Sequence, residues 1–89
     1  MKRWKVSANT QEFLQSTTIR PGDFGGWMAT NSGTADAMVD GYVLSPGDTI
    51  DYTHLDKSVL WDSPISIDLR TSGAKVRMTR LQYREVEEK

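Results

Sequence analysis

The residues with the clearest potential for chemistry are one histidine and three aspartates in the middle of the chain. His54 is the only histidine, and no motif ties it to a serine or to a carboxylate. A catalytic triad is defined by geometry, and no spacing here predicts one. Asp48, Asp51 and Asp56 carry oxygen ligands of the type that calcium takes, but their spacing matches no calcium-binding loop. We therefore expect no enzyme activity, no bound metal and no cofactor.

Aromatic residues supply a second candidate site. Trp27, Tyr52 and Trp61, together with Tyr42, could form a platform for sugars, because aromatic rings pack against the apolar faces of pyranoses. A small core also needs large side chains, and aromatic residues bury the most area per residue. The sequence therefore favours burial of the tryptophans, including Trp4, in the core or at an interface. A carbohydrate-binding module built on Trp27, Tyr52 and Trp61 is the alternative.

Charge is distributed unevenly along the chain, although the net charge is only −1. Residues 36–68 contain seven aspartates and one base, Lys57, whereas residues 70–84 contain five bases and no acid. The tail is acidic again at Glu85, Glu87 and Glu88. Segments of opposite sign can pair within the chain or between copies, and solvated strand faces explain the same pattern without any function.

The basic closing segment suggests two binding roles. An interface with other proteins would use Arg77, Arg80, Leu81, Tyr83 and Arg84. A single-stranded nucleic acid could be held by the same arginines and Tyr83, through phosphate pairing and base stacking. The aspartate-rich remainder and a sequence pI of about 5.7 argue against a nucleic-acid partner.

Turn signals in the centre of the chain indicate antiparallel β-structure. Asp40-Gly41 separates two short apolar segments and suits a type I′ hairpin turn, which requires positive φ at both residues. Ser45-Pro46-Gly47-Asp48 places proline and glycine where a tight turn needs them. We predict a single all-β domain over residues 1–89, a small antiparallel β-sandwich or jelly-roll-like barrel of about seven to eight short strands.

Alternation of apolar and polar residues, together with the turns, places the strands. Residues 12–14 could instead form a short helical turn, and we leave both interpretations open. The predicted segments are 2–8, 13–19, 24–30, 37–39, 42–44, 49–54, 65–70 and a closing strand from 76.

The closing strand changes its alternation partway along. Val76 and Met78 share one face, whereas Leu81 and Tyr83 have the opposite parity. A strand that keeps one face buried cannot skip a residue unless an extra residue enters the ladder, so a β-bulge near Thr79 is the simplest explanation. Burial on both sides, once by the core and once by a neighbouring subunit, is an alternative, and a helix is a third. We favour a strand, and we expect it to lie at a contact between copies or with a second protein.

Length and composition limit the stability of such a domain. With 89 residues the chain has one modest core and an expected free energy of unfolding of only about 5–8 kcal/mol. It contains no cysteine, so neither disulfides nor thiolate metal sites can reinforce it. A fold completed by oligomerisation is one solution to this problem. The sequence shows no signal peptide and no apolar membrane span, so we expect a soluble protein made in a cytoplasm.

The order of the motifs adds a resemblance. The segments N-S-G, V-D-G-Y-V-L-S-P-G-D-T-I, S-P-I-S-I-D-L-R and K-V-R-M-T-R-L-Q-Y-R-E resemble those of small β-sandwich proteins from tailed-bacteriophage virions. The likeness covers roughly residues 27–83. It implies a structural role as a capsid decoration, head-fibre, collar or tail component, made in the host cytoplasm and located in the virion. The implied partners are copies of the chain and other virion proteins, and no catalytic residues are implied.

Overall fold

The structure, a computed structural model, describes residues 2–22, 24–56 and 59–87. Lys57 and Glu88, which entered the charge pattern above, lie outside this part. The described residues form eight β-strands and no helix, so the helical alternatives at residues 12–14 and in the closing segment are wrong. No helix long and apolar enough to cross a membrane is found in the described ranges. The strands are β1 (Lys2–Phe13), β2 (Thr17–Ile19), β3 (Trp27–Asn31), β4 (Ala37–Val39), β5 (Tyr42–Leu44), β6 (Thr49–Asp51), β7 (Ile65–Asp68) and β8 (Val76–Glu87).

The strands make two four-stranded antiparallel sheets that pack as a sandwich. Sheet A has the order β1-β8-β3-β6 and sheet B the order β2-β7-β4-β5. Every connection except the β4–β5 hairpin crosses from one sheet to the other. This is the strand order of a jelly roll, an eight-stranded double-sheet fold. The predicted fold class is confirmed.

The two central turns have the predicted backbone geometry. Asp40 has φ of 52° and Gly41 has φ of 83°, as a type I′ turn requires. At the next turn Gly47 has φ of 90°, and the Asp48 N–H donates to the Ser45 carbonyl at 2.9 Å. These turns fix the register of β4 against β5 and direct the chain into β6.

The core lies between the sheets and takes alternate residues from each strand. Sheet A contributes side chains such as Trp27, Ala29 and Met78, and sheet B contributes pairs such as Ile65 and Ile67. The alternating burial along β3 and β7 matches a pleat with one buried face. The central strands of both sheets therefore depend on this core for their stability.

One polar residue, Asn31, is buried at the end of β3. Its side-chain amide donates to the carbonyls of Ala35 and Leu44, each at 2.8 Å, and its Oδ1 accepts the Gly33 N–H at 2.9 Å. Its backbone N–H also donates to the Asp48 carbonyl at 2.9 Å. Because burial of a polar group is costly unless it is hydrogen-bonded, these bonds make Asn31 a clamp between the β3–β4 loop, the end of β5 and the β5–β6 turn.

The two terminal strands are much longer than the others. β1 and β8 pair one to one over their full length, from Lys2 opposite Glu87 to Phe13 opposite Val76. β3 pairs with β8 only as far as Arg80, and Gly25 and Gly26 extend its contact by backbone bonds to Leu81. Beyond that point, residues 2–8 and 81–87 form a two-stranded extension, hereafter the ribbon. At about 3.3 Å per residue it is about 23 Å long. It accounts for much of the 53 Å long axis of the molecule, whose other extents are 21 and 18 Å.

The continuous register corrects the prediction of a β-bulge near Thr79. No residue is inserted between Val76 and Glu87 against either neighbouring strand within the described pairing. The change in alternation has a different physical cause. β8 continues past the end of the core, so its outer half has no need to keep the same face apolar.

Candidate assembly interface

The mid-chain histidine and aspartates do not form a chemical site. His54 is exposed and its Nε2 lies 3.8 Å from Asp51 Oδ2, at the end of β6. Asp51 is engaged mainly by Thr53, which donates its hydroxyl and its backbone N–H to Oδ1. These bonds lower the pKa of Asp51, the hydroxyl contributing most. Within the described ranges no three histidine or acidic side chains are grouped so that they could hold a metal ion, so Asp48, Asp51 and Asp56 do not come together in one site.

The three aromatic residues of the predicted sugar platform do come together, but as a packed cluster. Trp27 stands edge-on to Trp61 with ring centroids 5.3 Å apart and an interplanar angle of 90°. Tyr52 is tilted against both rings, at 5.0 and 5.1 Å. Trp27 is completely buried, while Tyr52 and Trp61 are half-buried against the core. Burial raises the pKa of Tyr52, and a hydrogen bond with Tyr42 adds to the effect.

This packing lacks the features that bind sugars. A platform needs coplanar ring faces open to solvent, whereas these rings are inclined to one another and Trp27 has no exposed face. In the described part of the chain the buried indole N–H groups of Trp27 and Trp61 have no hydrogen-bond partner. The cluster therefore contributes apolar burial and edge-to-face contact to the fold.

The predicted interface residues of β8 divide between two faces. Successive side chains of a strand point to opposite sides, and directly opposed residues of an antiparallel pair share a side. Met78 faces the core, so Arg80 and Arg84 lie on the same, inner side of sheet A. Arg77, Leu81 and Tyr83 lie on the outer side. A continuous basic groove for nucleic acid would need all three arginines on one face, and the alternation separates them.

Two of the three arginines are also engaged within the chain. Arg77 pairs with Glu12 at 3.6 Å, and Lys75 reaches the same carboxylate at 3.2 Å. Arg80 donates to Gln11 Oε1 at 3.0 Å, and its guanidinium lies 5.7 Å from the centre of the Phe24 ring. These contacts link β1 to β8 within the sandwich, on the core side of the ribbon. Arg84 is exposed further along the ribbon.

The outer face of the ribbon carries a group of apolar residues, with Glu85 beside them opposite Trp4. Val6 lies opposite Tyr83 and Ala8 opposite Leu81, and Trp4 follows on the same side. Trp4 is 37% exposed and Val6 57% exposed, while Leu81 and Tyr83 are half-buried. We call these five residues the outer patch: Trp4, Val6, Ala8, Leu81 and Tyr83. Its two sides come from opposite ends of the chain.

The inner face of the ribbon is mostly polar. It carries Arg3, Lys5 and Arg84, with Ser7 and Gln82 between them and the sandwich and Val86 opposite Arg3. The ribbon is thus amphipathic, but with its apolar side turned away from the molecule's own core. Such an arrangement offers apolar surface to a neighbour rather than to the fold.

Two of the five residues of the outer patch, Leu81 and Tyr83, are among the interface residues that the sequence predicts. For Trp4 the sequence predicts burial in the core or at an interface, and it assigns no interface role to Val6 or Ala8. The signal was present, because Trp4 and Val6 alternate with bases just as Leu81 and Tyr83 alternate with Gln82 and Arg84. What the alternation could not supply was the pairing of the two termini in register.

The outer patch is therefore an apolar surface that is not part of the sandwich core. Comparison of the chain with protein-family models, with curated proteins and with solved structures finds no match.

Proposed function

We propose that this chain is a non-enzymatic structural protein that assembles by protein–protein contacts through the outer patch, and that it is a component of a bacteriophage virion. The observation that carries the proposal is the outer patch itself. Large apolar side chains on a projecting ribbon, directed away from the only core that the described residues form, are explained by a neighbouring protein surface. The ribbon also has only two strands, which on their own are marginally stable in water.

The virion as the setting rests on two further points. The turn and strand motifs of residues 27–83 resemble those of small virion β-sandwiches. The jelly-roll strand order is used by viral capsid domains and by lectins, so it agrees with that setting by analogy of fold. The inclined, core-packed rings of Trp27, Tyr52 and Trp61 favour the capsid-type role over the lectin-type role.

Charge supports assembly as well. Arg77 and Arg80 are engaged by Glu12 and Gln11 of β1, while Arg3, Lys5 and Arg84 extend along the inner face of the ribbon. Seven aspartates lie in a different segment of the sequence, residues 36–68. Contacts between a basic surface of one copy and an acidic surface of another set orientation more than affinity.

The test of assembly combines Leu81→Asp with Tyr83→Asp and follows the mass by sedimentation velocity. We expect the wild-type chain to self-associate and the double variant to be a folded monomer. Val43→Asp is the matched control, because Val43 is an equally apolar residue, 61% exposed, on sheet B far along the chain from the ribbon. Assembly that survives the double substitution, or that fails equally in the control, would contradict the role of the outer patch.

The virion setting needs a separate measurement. Particles from the source culture are separated on a density gradient, and each fraction is analysed for this chain by mass spectrometry. We expect the chain to migrate with intact particles and to remain after a wash at high salt. Its absence from every particle fraction, with the chain present in the soluble fraction, would rule the virion role out.

A further inference from the structure

The open edge of sheet A is unlike the other sheet edges of this molecule. β1 lies at the end of sheet A and pairs with β8 alone, over twelve residues. The other three edge strands in the described part of the chain, β2, β5 and β6, have three residues each. Every side chain that the structure describes from Arg3 to Glu12 is exposed, on both faces of the strand. β1 is therefore a long strand edge that no other element in the described ranges covers.

Natural proteins protect such edges, and β1 has few of the usual protections. Proline, a bulge or a very short strand prevents a second chain from pairing with an edge. β1 contains no proline and no glycine, and its one-to-one register with β8 has no bulge. Its charged residues lie at its two ends, which leaves Val6–Gln11 uncharged.

The direction of the backbone groups of β1 follows from its neighbour. The Leu81 N–H donates to Gly26 and the Leu81 carbonyl accepts from Gly25, so odd-numbered residues of β8 bond away from β1. Even-numbered residues of β8 therefore bond to β1, and their partners there are the odd-numbered residues. The even-numbered residues of β1, from Trp4 to Glu12, direct their N–H and C=O groups to the open edge.

We infer that two copies of this chain join edge to edge through antiparallel β1 strands, making one continuous eight-stranded sheet. The inference deepens the proposed function by naming a second copy as a partner. A third and a fourth strand would give the ribbon the support that two strands lack. The order of strands becomes β6-β3-β8-β1 in one copy, followed by β1-β8-β3-β6 in the other.

Charge favours antiparallel pairing of the two strands, and it favours a second copy of this chain as the partner. Residues 2–5 contain three bases, and the opposite end of the strand carries Glu12. Parallel pairing would align the bases of the two copies, whereas antiparallel pairing places them beside Gln11 and Glu12 of the partner. Lys75 and Arg77 of the same chain already contact Glu12. Charge therefore sets the direction of the β1–β1 pairing, whereas backbone hydrogen bonds supply the affinity between copies.

Two-fold symmetry also restricts which residues of the two β1 strands can lie opposite each other. A two-fold axis through the sheet pairs residues of equal parity, so that the outer patches of both copies lie on one side. With Ser7 on the axis, Val6 lies opposite Ala8 and Trp4 opposite Thr10. The Ser7 pair is then a closely spaced, non-hydrogen-bonded pair with Cα atoms about 4.5 Å apart. This distance suits a disulfide.

A proline pair tests the edge directly by sedimentation velocity. Ala8→Pro removes an N–H that points to the open edge, so the β1–β8 ladder stays intact and only the contact between copies is lost. We expect a folded protein whose dimer dissociation constant rises at least about tenfold, since the symmetric contact loses two hydrogen bonds. Asn9→Pro is the matched control, because its N–H bonds to β8 and its loss lowers the melting temperature.

A cysteine variant tests the register, because the natural chain has no cysteine. Under mild oxidation Ser7→Cys should form a disulfide-linked dimer, whereas Thr18→Cys on the exposed edge strand β2 should stay monomeric. Self-association that survives Ala8→Pro but is abolished by Leu81→Asp with Tyr83→Asp would overturn the edge contact and leave the proposed function standing. A wild-type chain that is monomeric at all concentrations yet migrates with particles would also overturn the edge contact and leave the proposed function standing. A chain that dimerises through Ser7→Cys but joins no particle would support the edge contact and contradict the virion role.

Discussion

The two halves of β8 show how one strand can serve two purposes. In the first half, Val76 and Met78 are completely buried and face the sandwich core, between β1 on one side and β3 on the other. In the second half β3 no longer pairs with the strand beyond Arg80, and Leu81 and Tyr83 lie on the opposite face. The sandwich core accounts for the first half. The proposed partner accounts for the second half, because Leu81 and Tyr83 face away from the core and stay only half-buried in the isolated chain.

The largest expected contrast uses the same residue type in both regions. Trp27 is fully buried at the centre of the aromatic cluster, whereas Trp4 lies 37% exposed on the ribbon. Trp27→Ala should lower the free energy of unfolding by about 3–5 kcal/mol, through lost burial and the cavity that remains. Trp4→Ala should cost less than about 1 kcal/mol in the monomer and weaken assembly instead. Urea unfolding of dilute samples measures both values, and equal losses would erase the distinction between the regions.

The next largest effect is expected at Asn31. Asn31→Ala removes a buried side chain with three hydrogen bonds and takes one donor from the Leu44 carbonyl. We expect a loss of about 2–4 kcal/mol in the free energy of unfolding. Asn9→Ala, at an exposed position of β1, is the matched control and should stay within about 0.5 kcal/mol of wild type. A thermal melt of Asn31→Ala that matches wild type would show that the loops are not clamped through this residue.

A smaller effect is expected at the β4–β5 turn. Gly41 has φ of 83°, and a Cβ placed there meets nothing within 4 Å, so Gly41→Val strains the backbone without a clash. We expect a loss of about 1–3 kcal/mol. Gly22→Val is the control, because Gly22 also has open space around it and no positive φ. Equal melting temperatures for the two variants would show that the positive φ is not needed.

The smallest effect concerns acid stability at the end of β7. Arg70 donates a hydrogen bond to Asp68 and lies 2.6 Å from its carboxylate, which lowers the pKa of Asp68. Because the folded pKa lies below the unfolded one, the stabilisation is complete above the unfolded pKa and is lost as the pH falls through the folded pKa. Asp68→Asn should therefore melt slightly below wild type at neutral pH and converge with it in acid. In an Arg70→Gln background the difference should shrink, because only the backbone N–H of residue 70 still donates to Asp68. A difference of unchanged size there would assign the effect to another group.

The sandwich could be predicted from the sequence more completely than the ribbon could. The sandwich follows from local chemistry: Asp40-Gly41 and Pro46-Gly47 demand particular turns, and Ile65 and Ile67 alternate cleanly. The ribbon depends on pairing between Lys2 and Glu87, at the far ends of the chain, for which no turn sets the register. β1 was therefore predicted too short, and the change of alternation in β8 was assigned to a bulge. The role of Asn31 also depends on loops that approach it only in the folded chain.

Hydrogen exchange at two protein concentrations tests the central claim most directly, namely that the sandwich makes the fold and the ribbon makes the contact. Mass spectrometry of peptic fragments separates residues 2–8 and 82–87 from the strands of the sandwich. We predict that ribbon amides exchange more slowly as the concentration rises, while the amides of β3 and β7 exchange at the same rate at both concentrations. Ribbon amides that exchange at an unchanged rate across the concentration range would contradict the claim.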